Sequence, residues 1–316
     1  MSAVYIDADL NDRERRERLY AGDLFVLGAT PGTRELIALA RSMLETAFAP
    51  RAPREIHKYI SAEEAAAVLA ELKPAFIHHP ECKRFLPQIL RENGVDPQFT
   101  YFDTPRLRSA YPSDFLSSGI AYAFHPHRDT WYSAPLCQLN WWIPIFPIEP
   151  GNAMNFYPRH FTEPLKNSSS RYNYYEWNAK NRATAAQNVK SDTREQPKAL
   201  EAVDPVSIRL LPPPGGVILF SGAQLHETVP NTTDVARYSI DFRTVHIDDV
   251  RDRRGAPNID SASTGTTMRD YLRATDLARI PDDLVALYDD ASAASADILY
   301  FGDRLVNAGT SQNAPK

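Results

Sequence analysis

The stretch HPHRDTWY, residues 125–132, places two imidazoles and a carboxylate within five positions. His127 and Asp129 are two residues apart, so on a β-strand both side chains would point to one face, as two ligands of one metal ion must. A third ligand must come from elsewhere, and the best candidate is His226, which follows the apolar run GGVILFSGAQL. Two imidazoles and one carboxylate leave coordination positions open. This pattern suits non-haem Fe(II), with zinc as the competitor.

A basic side chain follows the third candidate ligand and bears on the choice of metal. Arg237 lies eleven positions after His226, in the run ARYSIDFRTV. On a strand, one face of this run would carry Arg237, Ser239, Asp241 and Arg243. An iron enzyme that uses 2-oxoglutarate needs a cation for the distal carboxylate of that co-substrate, and Arg237 with Ser239 could form a fork of donors for it. Thr228 could add a donor, and Arg243 is the alternative cation.

Other interpretations of these residues compete with an iron site. An isolated H-x-D sequence is more often the solvent-facing end of a strand. A cupin-like zinc or manganese isomerase or hydrolase would use the same three ligands and would have no need of Arg237. A non-catalytic jelly-roll binding protein would not need a complete ligand set. The combination of three ligand types with a following arginine favours the iron enzyme.

The N-terminal part of the chain combines a strand pattern with helical patterns. GDLFVLGA (22–29) predicts a short strand, and TRELIALARSMLETAF (33–48) has apolar residues at helical spacing. SAEEAAAVLAELK begins with Ser61 and Glu64 at the spacing of a capping box. This predicts a second helix, which Pro74 should end.

From about residue 97 the chain changes to short β-rich runs separated by Pro, Gly, Asn and Asp. The runs are QFTYFDT, GIAYAFH, APLCQLNWWIPIF, AMNFYP, VSIRLLP, GGVILFSG and ARYSIDFRTVHI. Many short strands of this kind predict a mainly β fold with flanking helices, either a sandwich or a barrel, of which the jelly roll is one.

The pattern suggests a single domain with three parts. We expect residues 1–96 to form an N-terminal strand and helices that pack on the core, residues 97–250 to form a catalytic jelly-roll core, and residues 251–316 to form a C-terminal helical segment and tail. The helical pattern in this last part covers 268–305 and is interrupted at Pro281.

A polar insert at about 164–202 is too long for an ordinary hairpin loop. It is either a lid over the site or a disordered insertion. Its aromatic run YNYYEW (172–177) either stacks over a substrate or packs on the core.

Composition argues against large polyanionic partners. The formal net charge is −5, the isoelectric point is near 5.9, and no dense Lys/Arg block occurs, so binding to nucleic acid or to an anionic membrane has little electrostatic support. The N-terminus is charged where a signal peptide needs an apolar stretch, and no apolar run approaches membrane-spanning length. We expect a cytoplasmic protein in which Cys82 and Cys137 are buried or free thiols. No pattern indicates an oligomeric state.

Several motifs, in this order and spacing, resemble the phytanoyl-CoA dioxygenase family of Fe(II)/2-oxoglutarate oxygenases. They are the HRD of 127–129, LNWWIPI, GNAMNFYPRHF and GGVILFSGAQLHETVPNTTDVARYSI. The similarity covers about residues 100–245. It departs from the family at Arg159, which replaces a small residue, and at the tyrosine-rich insert.

The resemblance implies a double-stranded β-helix, the jelly-roll or cupin-like fold, with roles for particular residues. His127, Asp129 and His226 would hold Fe(II), and Arg237 would bind the distal carboxylate of 2-oxoglutarate. Further co-substrate contacts would come from Thr228, Trp142 and Asn140.

The same resemblance implies a reaction. The enzyme would consume O2 and 2-oxoglutarate, release succinate and CO2, and hydroxylate or otherwise oxidise a C–H bond, with ascorbate expected to support activity. A carboxylate at Asp129 leaves no place for a halide ligand, which disfavours halogenation. Because the sequence has no nucleic-acid or membrane signature, we expect the substrate to be a small soluble metabolite, for example an intermediate of specialised metabolism.

Overall fold

The computed structural model describes residues 2–116, 125–181 and 194–290. Its strands are β1 (Val4–Ile6), β2 (Leu24–Leu27), β3 (Thr100–Phe102), β4 (Arg106–Ala110), β5 (Leu139–Pro144), β6 (Met154–Phe156), β7 (Ile208–Leu210), β8 (Val217–Ser221), β9 (His226–Thr228), β10 (Arg237–His246) and β11 (Leu272–Arg273). Its α-helices are α1 (Asp12–Tyr20), α2 (Pro31–Phe48), α3 (Ala62–Ile77), α4 (Pro80–Glu92), α5 (Tyr174–Asn181), α6 (Ile247–Asp252) and α7 (Asp282–Val285).

The strands of the described chain form two sheets. The larger sheet has the order β1-β2-β8-β5-β10-β3-β11, and β4 also pairs with β10. The smaller sheet has the order β7-β6-β9. In the larger sheet β10 pairs antiparallel with β5, placing Asp241 opposite Trp142 and Arg243 opposite Asn140. A mainly β core flanked by helices, as the sequence predicts, is therefore present.

The two faces of the larger sheet have different coverings. Trp141 and Phe242 point to one face, where they belong to the same apolar cluster as Leu36 of α2 and Phe76 of α3. Trp142, one residue along β5, points to the other face and packs with apolar residues of β6 and β7. Strand alternation thus sends every second side chain of β5 and β10 towards the helices and the others towards the smaller sheet.

The N-terminal predictions are mostly confirmed. β2 lies within 22–29, and α2 covers the predicted helix. The capping box of α3 is formed by Ser61 and Glu64, as predicted. The expected end at Pro74 is wrong, because α3 continues to Ile77. Pro74 loses only one helical hydrogen bond, whereas continuing the helix buries Phe76 completely.

The prediction of a helical C-terminal segment is wrong over its described part, 268–290. This part contains a 3-10 turn at Met268–Asp270, the two-residue strand β11 and the four-residue helix α7. β11 pairs with β3, and apolar side chains of the segment pack against Tyr101 and Val245. The helix-like spacing of these apolar residues therefore arises because one side of an irregular chain is buried.

Other parts of the sequence interpretation have mixed outcomes. Cys82 and Cys137 are free and buried, as expected. Most of the run GIAYAFH lies outside the described residues, so the strand predicted there stays a prediction. Within the described ranges, no helix has the length and apolar character needed to cross a bilayer.

Candidate metal centre

A cavity of about 430 Å³ lies between the two sheets. Side chains of β4, β5, β6, β9 and β10 line it, and those of β5, β9 and β10 come from alternate positions of their strands. The lining residues include all of the predicted site residues except Ser239, namely His127, Asp129, Asn140, Trp142, His226, Thr228 and Arg237. The described structure therefore collects side chains that are up to 110 positions apart in the chain into one space.

His127, Asp129 and His226 form a buried cluster in this cavity. One potential ligand atom from each residue lies within 4.8 Å of the others. Backbone pairing explains the convergence, because the amide of His127 donates to the carbonyl of His226 at 2.9 Å and the reverse bond is 3.0 Å long. The centres of the two imidazole rings are 4.4 Å apart.

The structure corrects the expectation that His127 and Asp129 share a strand. His127 forms only an isolated bridge with His226, and Asp129 begins a 3-10 turn, Asp129–Tyr132. The amide of Thr130 donates to the carbonyl of Gly222, which holds the turn against the end of β8. Both side chains nevertheless point to the same cavity, because the chain bends into the turn directly after the bridge.

The imidazoles are oriented for metal binding. Nδ1 of His127 lies 2.9 Å from the carbonyl oxygen of His125, and Nδ1 of His226 lies 2.9 Å from that of Gln224. A ring nitrogen facing a carbonyl must be the protonated one, so each Nε2 carries the lone pair that a metal needs. Burial, and then the neighbouring His127, lowers the pKa of His226 to about 4. This imidazole is therefore neutral at pH 7.

Asp129 uses its two oxygens differently. Oδ2 accepts hydrogen bonds from Gln138 Nε2 at 2.7 Å, Asn140 Nδ2 at 2.8 Å and Arg243 Nε at 3.3 Å. Oδ1 lies 3.6 Å from Nε2 of His127 and faces the cluster. Burial alone would raise the pKa of Asp129, but Arg243 and the two histidines hold it well below its usual range. The carboxylate is thus ionised, with one oxygen directed towards a metal position.

Gln138 and Tyr271 support the centre, and sequence reasoning missed both. Gln138 shares the inward face of its strand region with Asn140, so the same alternation could have indicated it. The hydroxyl of Tyr271 donates to Oε1 of Gln138 at 2.7 Å, which directs the amide nitrogen of Gln138 towards Asp129. No local pattern pointed to Tyr271, because it lies more than 130 positions further along the chain.

The two candidate cations differ in what they contact. Arg243 donates to Asp103 at 3.1 Å and to Asp129 at 3.3 Å, so its guanidinium is already paired with carboxylates next to the candidate metal ligands. Arg237 donates to Ser239 Oγ at 2.8 Å and to Thr228 Oγ1 at 3.1 Å. This contrast favours Arg237 over Arg243 as the group that receives an incoming carboxylate.

Arg237 retains a donor that the described residues leave unused. Its side chain is 4% exposed, and among those residues its Nε has no hydrogen-bond partner. The guanidinium carbon lies 5.5 Å from the centre of the Trp142 ring. Burial, aided by Arg108 and opposed by Asp241, lowers the pKa of Arg237 to about 10. The group is therefore cationic at neutral pH, and a bound anion would satisfy it.

Ser239 and Asn140 are placed differently from the sequence expectation. Ser239 is fully buried and absent from the described cavity lining; it accepts a hydrogen bond from Arg237, so it orients the guanidinium and does not face a ligand. Asn140 faces the cavity, but its amide donates to Asp129. Arg106 and Arg108 reach the cavity and also form ion pairs, with Asp103 and Asp241 respectively.

Comparison with known proteins gives only distant structural similarity. No protein-family model and no curated protein matches the chain. Among solved structures, the non-heme monooxygenase ThoJ is 15% identical, with a TM-score of 0.40, and the match covers 90% of this chain and 94% of that one. EvdO2 from Micromonospora carbonacea var. aurantiaca, complexed with 2-oxoglutarate, is 16% identical, with a TM-score of 0.40 and coverages of 77% and 93%.

The epimerase SnoN, in complex with Fe3+, alpha ketoglutarate and nogalamycin RO, is 14% identical, with a TM-score of 0.39 and coverages of 91% and 94%. All three TM-scores are below 0.5. The cavity and the residues that line it therefore have to indicate the function.

Proposed function

We propose that the protein is an Fe(II)/2-oxoglutarate-dependent oxygenase that oxidises a C–H bond of a small molecule. In the hydroxylation reaction, substrate, O2 and 2-oxoglutarate give hydroxylated substrate, succinate and CO2. The observation that carries the proposal is the buried Arg237, whose Nε donor has no hydrogen-bond partner among the described residues, in the same cavity as a cluster of two imidazoles and one carboxylate.

We further propose that the two sheets are the two halves of a double-stranded β-helix. Two features support this topology: largely antiparallel sheets that face each other across an apolar cluster, and the convergence of His127, Asp129 and His226 on one cavity. A jelly-roll core places side chains from non-consecutive strands opposite one another.

The metal ligands in this proposal are His127, Asp129 and His226. Two imidazoles and one carboxylate on one side of the ion are the donor set of non-haem Fe(II) sites with open positions. When bound, the iron supplies the chemistry by which O2 oxidises first the 2-oxo acid and then the substrate. Asp129 offers Oδ1, because Oδ2 is held by three donors.

The co-substrate would extend from the metal to Arg237. Arg237 would bind its distal carboxylate, with Thr228 as a second donor and Trp142 as a flat wall beneath the guanidinium. Ser239 keeps the guanidinium in place. A zinc or manganese isomerase or hydrolase would use the same ligands but would leave the buried cation without a function, and so it is the weaker alternative.

A pair of arginine variants tests the proposal. Arg237→Met should weaken 2-oxoglutarate binding by roughly 10- to 100-fold, the effect of losing a charge-assisted contact of about 1.5–3 kcal/mol, and should leave Fe(II) affinity nearly unchanged. Arg243→Met should weaken Fe(II) binding and leave 2-oxoglutarate binding nearly unchanged, because Arg243 donates a hydrogen bond to Asp129. Both affinities are measured without oxygen, by chelator competition for Fe(II) and by the visible absorption band for 2-oxoglutarate.

Turnover completes this test. Substrate-stimulated conversion of 2-oxoglutarate to succinate, assayed with ascorbate and a metabolite panel, is the expected activity. A wild-type protein that binds zinc but neither Fe(II) nor 2-oxoglutarate would contradict the proposal. If Arg243→Met lowers 2-oxoglutarate affinity while Arg237→Met does not, the carboxylate site belongs to Arg243.

A further inference from the structure

One wall of the cavity consists of aromatic rings that extend away from the candidate metal ligands His127, Asp129 and His226. The ring of Tyr132 lies 5.5 Å from that of His127, at an interplanar angle of 85°. Tyr172 follows, with its ring centre 5.4 Å from that of Tyr132, and Trp177 comes next at 6.2 Å. All of these residues line the cavity. We call Tyr132, Tyr172 and Trp177 the aromatic wall.

Most of this wall comes from the run YNYYEW, for which the sequence left stacking and core packing equally open. The structure places some of these rings on the cavity and another away from it. Tyr172, Tyr174 and Trp177 line the cavity. Tyr175 is outside the described lining, and its ring lies close to Gly265. The insert therefore contributes ring surface to the cavity through particular side chains.

Hydrogen bonds at their polar ends hold these rings in place. The hydroxyl of Tyr132 donates to the carbonyl of Pro197 at 3.1 Å, and the indole nitrogen of Trp177 donates to that of Glu195 at 3.0 Å. Tyr174 donates to Asp270. Tyr132 and Trp177 are thus tied to backbone carbonyls and can offer ring surface to a ligand. The guanidinium carbon of Arg194, another lining residue, lies 5.6 Å from the centre of the Trp177 ring. Orienting the rings in advance also lowers the entropic cost of binding.

We infer that the substrate carries a planar aromatic ring system, which packs on the aromatic wall. This packing brings one substituent of the ring system next to the candidate metal ligands. This inference rests on the proposed function for its account of the chemistry. Offset or edge-to-face contacts favour an aromatic partner over a saturated one of equal size.

Two matched ligands test the inference on the full chain. Naphthalene-2-carboxamide and decahydronaphthalene-2-carboxamide share one carbon skeleton, but only the first is planar and aromatic. Both are uncharged, so attraction to Arg237 does not bias the comparison. In calorimetric titrations, with and without Fe(II) and 2-oxoglutarate under nitrogen, we expect the aromatic amide to bind at least roughly fivefold more tightly.

Variants at Trp177 test whether the preference for the aromatic amide comes from the aromatic wall. Trp177 is only partly buried, whereas Trp131, Trp141 and Trp142 are buried, so its replacement should be tolerated by the fold. Trp177→Leu should remove most of the preference, and Trp177→Phe should retain it. Tyr59→Leu, which removes an aromatic ring that is 52% exposed and outside the described lining, is the control.

The outcomes separate the two proposals. Equal affinities for the two amides, no binding of either, or a preference that survives Trp177→Leu would each overturn the aromatic-wall inference, whatever the result with 2-oxoglutarate. If the preference depends on Trp177 but the wild-type protein binds neither Fe(II) nor 2-oxoglutarate, the oxygenase proposal fails and the aromatic binding site stands.

Discussion

At the residue scale, the centre depends on the groups behind the three candidate ligands. Asp129 can direct Oδ1 at a metal because Oδ2 is saturated by Gln138, Asn140 and Arg243. Such partners restrict the orientation of a ligand before the metal binds. They also compensate for burying a carboxylate, which would otherwise cost several kcal/mol.

Tyr271→Phe is expected to weaken metal binding although the residue lies outside the ligand set. The change removes the hydroxyl that donates to Gln138, so the Gln138 amide loses its fixed orientation towards Asp129. We expect roughly a tenfold loss of Fe(II) affinity, measured by chelator competition under nitrogen. Tyr101→Phe, a change in the same apolar cluster, is the control. Equal Fe(II) affinities of Tyr271→Phe and the wild type would show that the Tyr271–Gln138 hydrogen bond does not support metal binding.

Lys73 makes a pH-dependent contribution to the charge of the cavity. Burial, together with Arg108 and Arg237 and against the effect of Asp241, lowers the pKa of Lys73 to about 7. The amine is therefore cationic below pH 7 and neutral above it. Because it lines the cavity, its charge should help to attract a dianion only on the acidic side.

We therefore expect the 2-oxoglutarate affinity to fall roughly two- to fivefold between pH 6 and pH 8, the effect of one nearby charge worth about 0.5–1 kcal/mol. Lys73→Met should give a flatter profile with the affinity of the alkaline wild type. Lys166→Met, at an exposed position outside the described cavity lining, should follow the wild-type profile. Parallel profiles for Lys73→Met and wild type would show that another group titrates.

At the element scale, the turn that carries Asp129 is held by a distant segment. The middle residue of the HRD motif, Arg128, is 1% exposed, and its Nε contacts both oxygens of Asp260 at 3.0 and 3.1 Å. Asp260 also accepts hydrogen bonds from the indole of Trp131 at 2.7 Å and from the amide of Leu165 at 3.0 Å. One carboxylate thus connects the metal-binding turn with the beginning of the aromatic insert.

Asp260→Ala should destabilise the protein by roughly 3–5 kcal/mol, because it leaves Arg128 charged and buried without its partner. Urea unfolding measures this change. Asp276→Ala is the matched control in the same region, since the Arg273–Asp276 pair has side chains that are 29% and 50% exposed. An exposed pair contributes about 0–1 kcal/mol. Similar losses of unfolding free energy in the two variants would mean that the buried Arg128–Asp260 pair stabilises the fold no more than an exposed pair does.

At the scale of the whole molecule, the larger sheet separates two environments. Its helix-covered face contains Trp141 stacked on Phe242 at 5.5 Å, within a continuous apolar cluster. Its other face carries polar groups of the cavity, which include Asn140, Arg237 and Arg243. The apolar face can hold the sheet in place while the opposite face keeps charged groups that cost stability.

Ligands should stabilise the whole fold, because the cavity exists only when the two sheets are assembled. Fe(II) and 2-oxoglutarate at about 100 times their dissociation constants should each add up to about 2.7 kcal/mol, so together they should raise Tm by several degrees. Scanning calorimetry under nitrogen measures the shift. Arg237→Met should keep the increment from Fe(II) and lose most of that from 2-oxoglutarate. An unchanged Tm in the wild type with both ligands would argue against both sites.

The sequence by itself determined the features that depend on local geometry. Strand alternation correctly placed Arg237 and Arg243 on one face of β10, and the capping box correctly marked the start of α3. The residue types of His127, Asp129 and His226 indicated a metal site, and the structure brings these residues together. Such features are readable because they depend on spacings of a few residues.

Only the tertiary structure decided which polar groups meet. It assigned Arg243 to Asp129, and it left the Nε donor of Arg237 without a partner among the residues that the structure describes. It also put Asp129 in a turn and brought Tyr271 to Gln138. It also extended α3 through Pro74, because burial of Phe76 outweighs one lost hydrogen bond. These outcomes depend on contacts between residues that are far apart in the chain or on burial in the assembled core, and neither has a local period in the sequence.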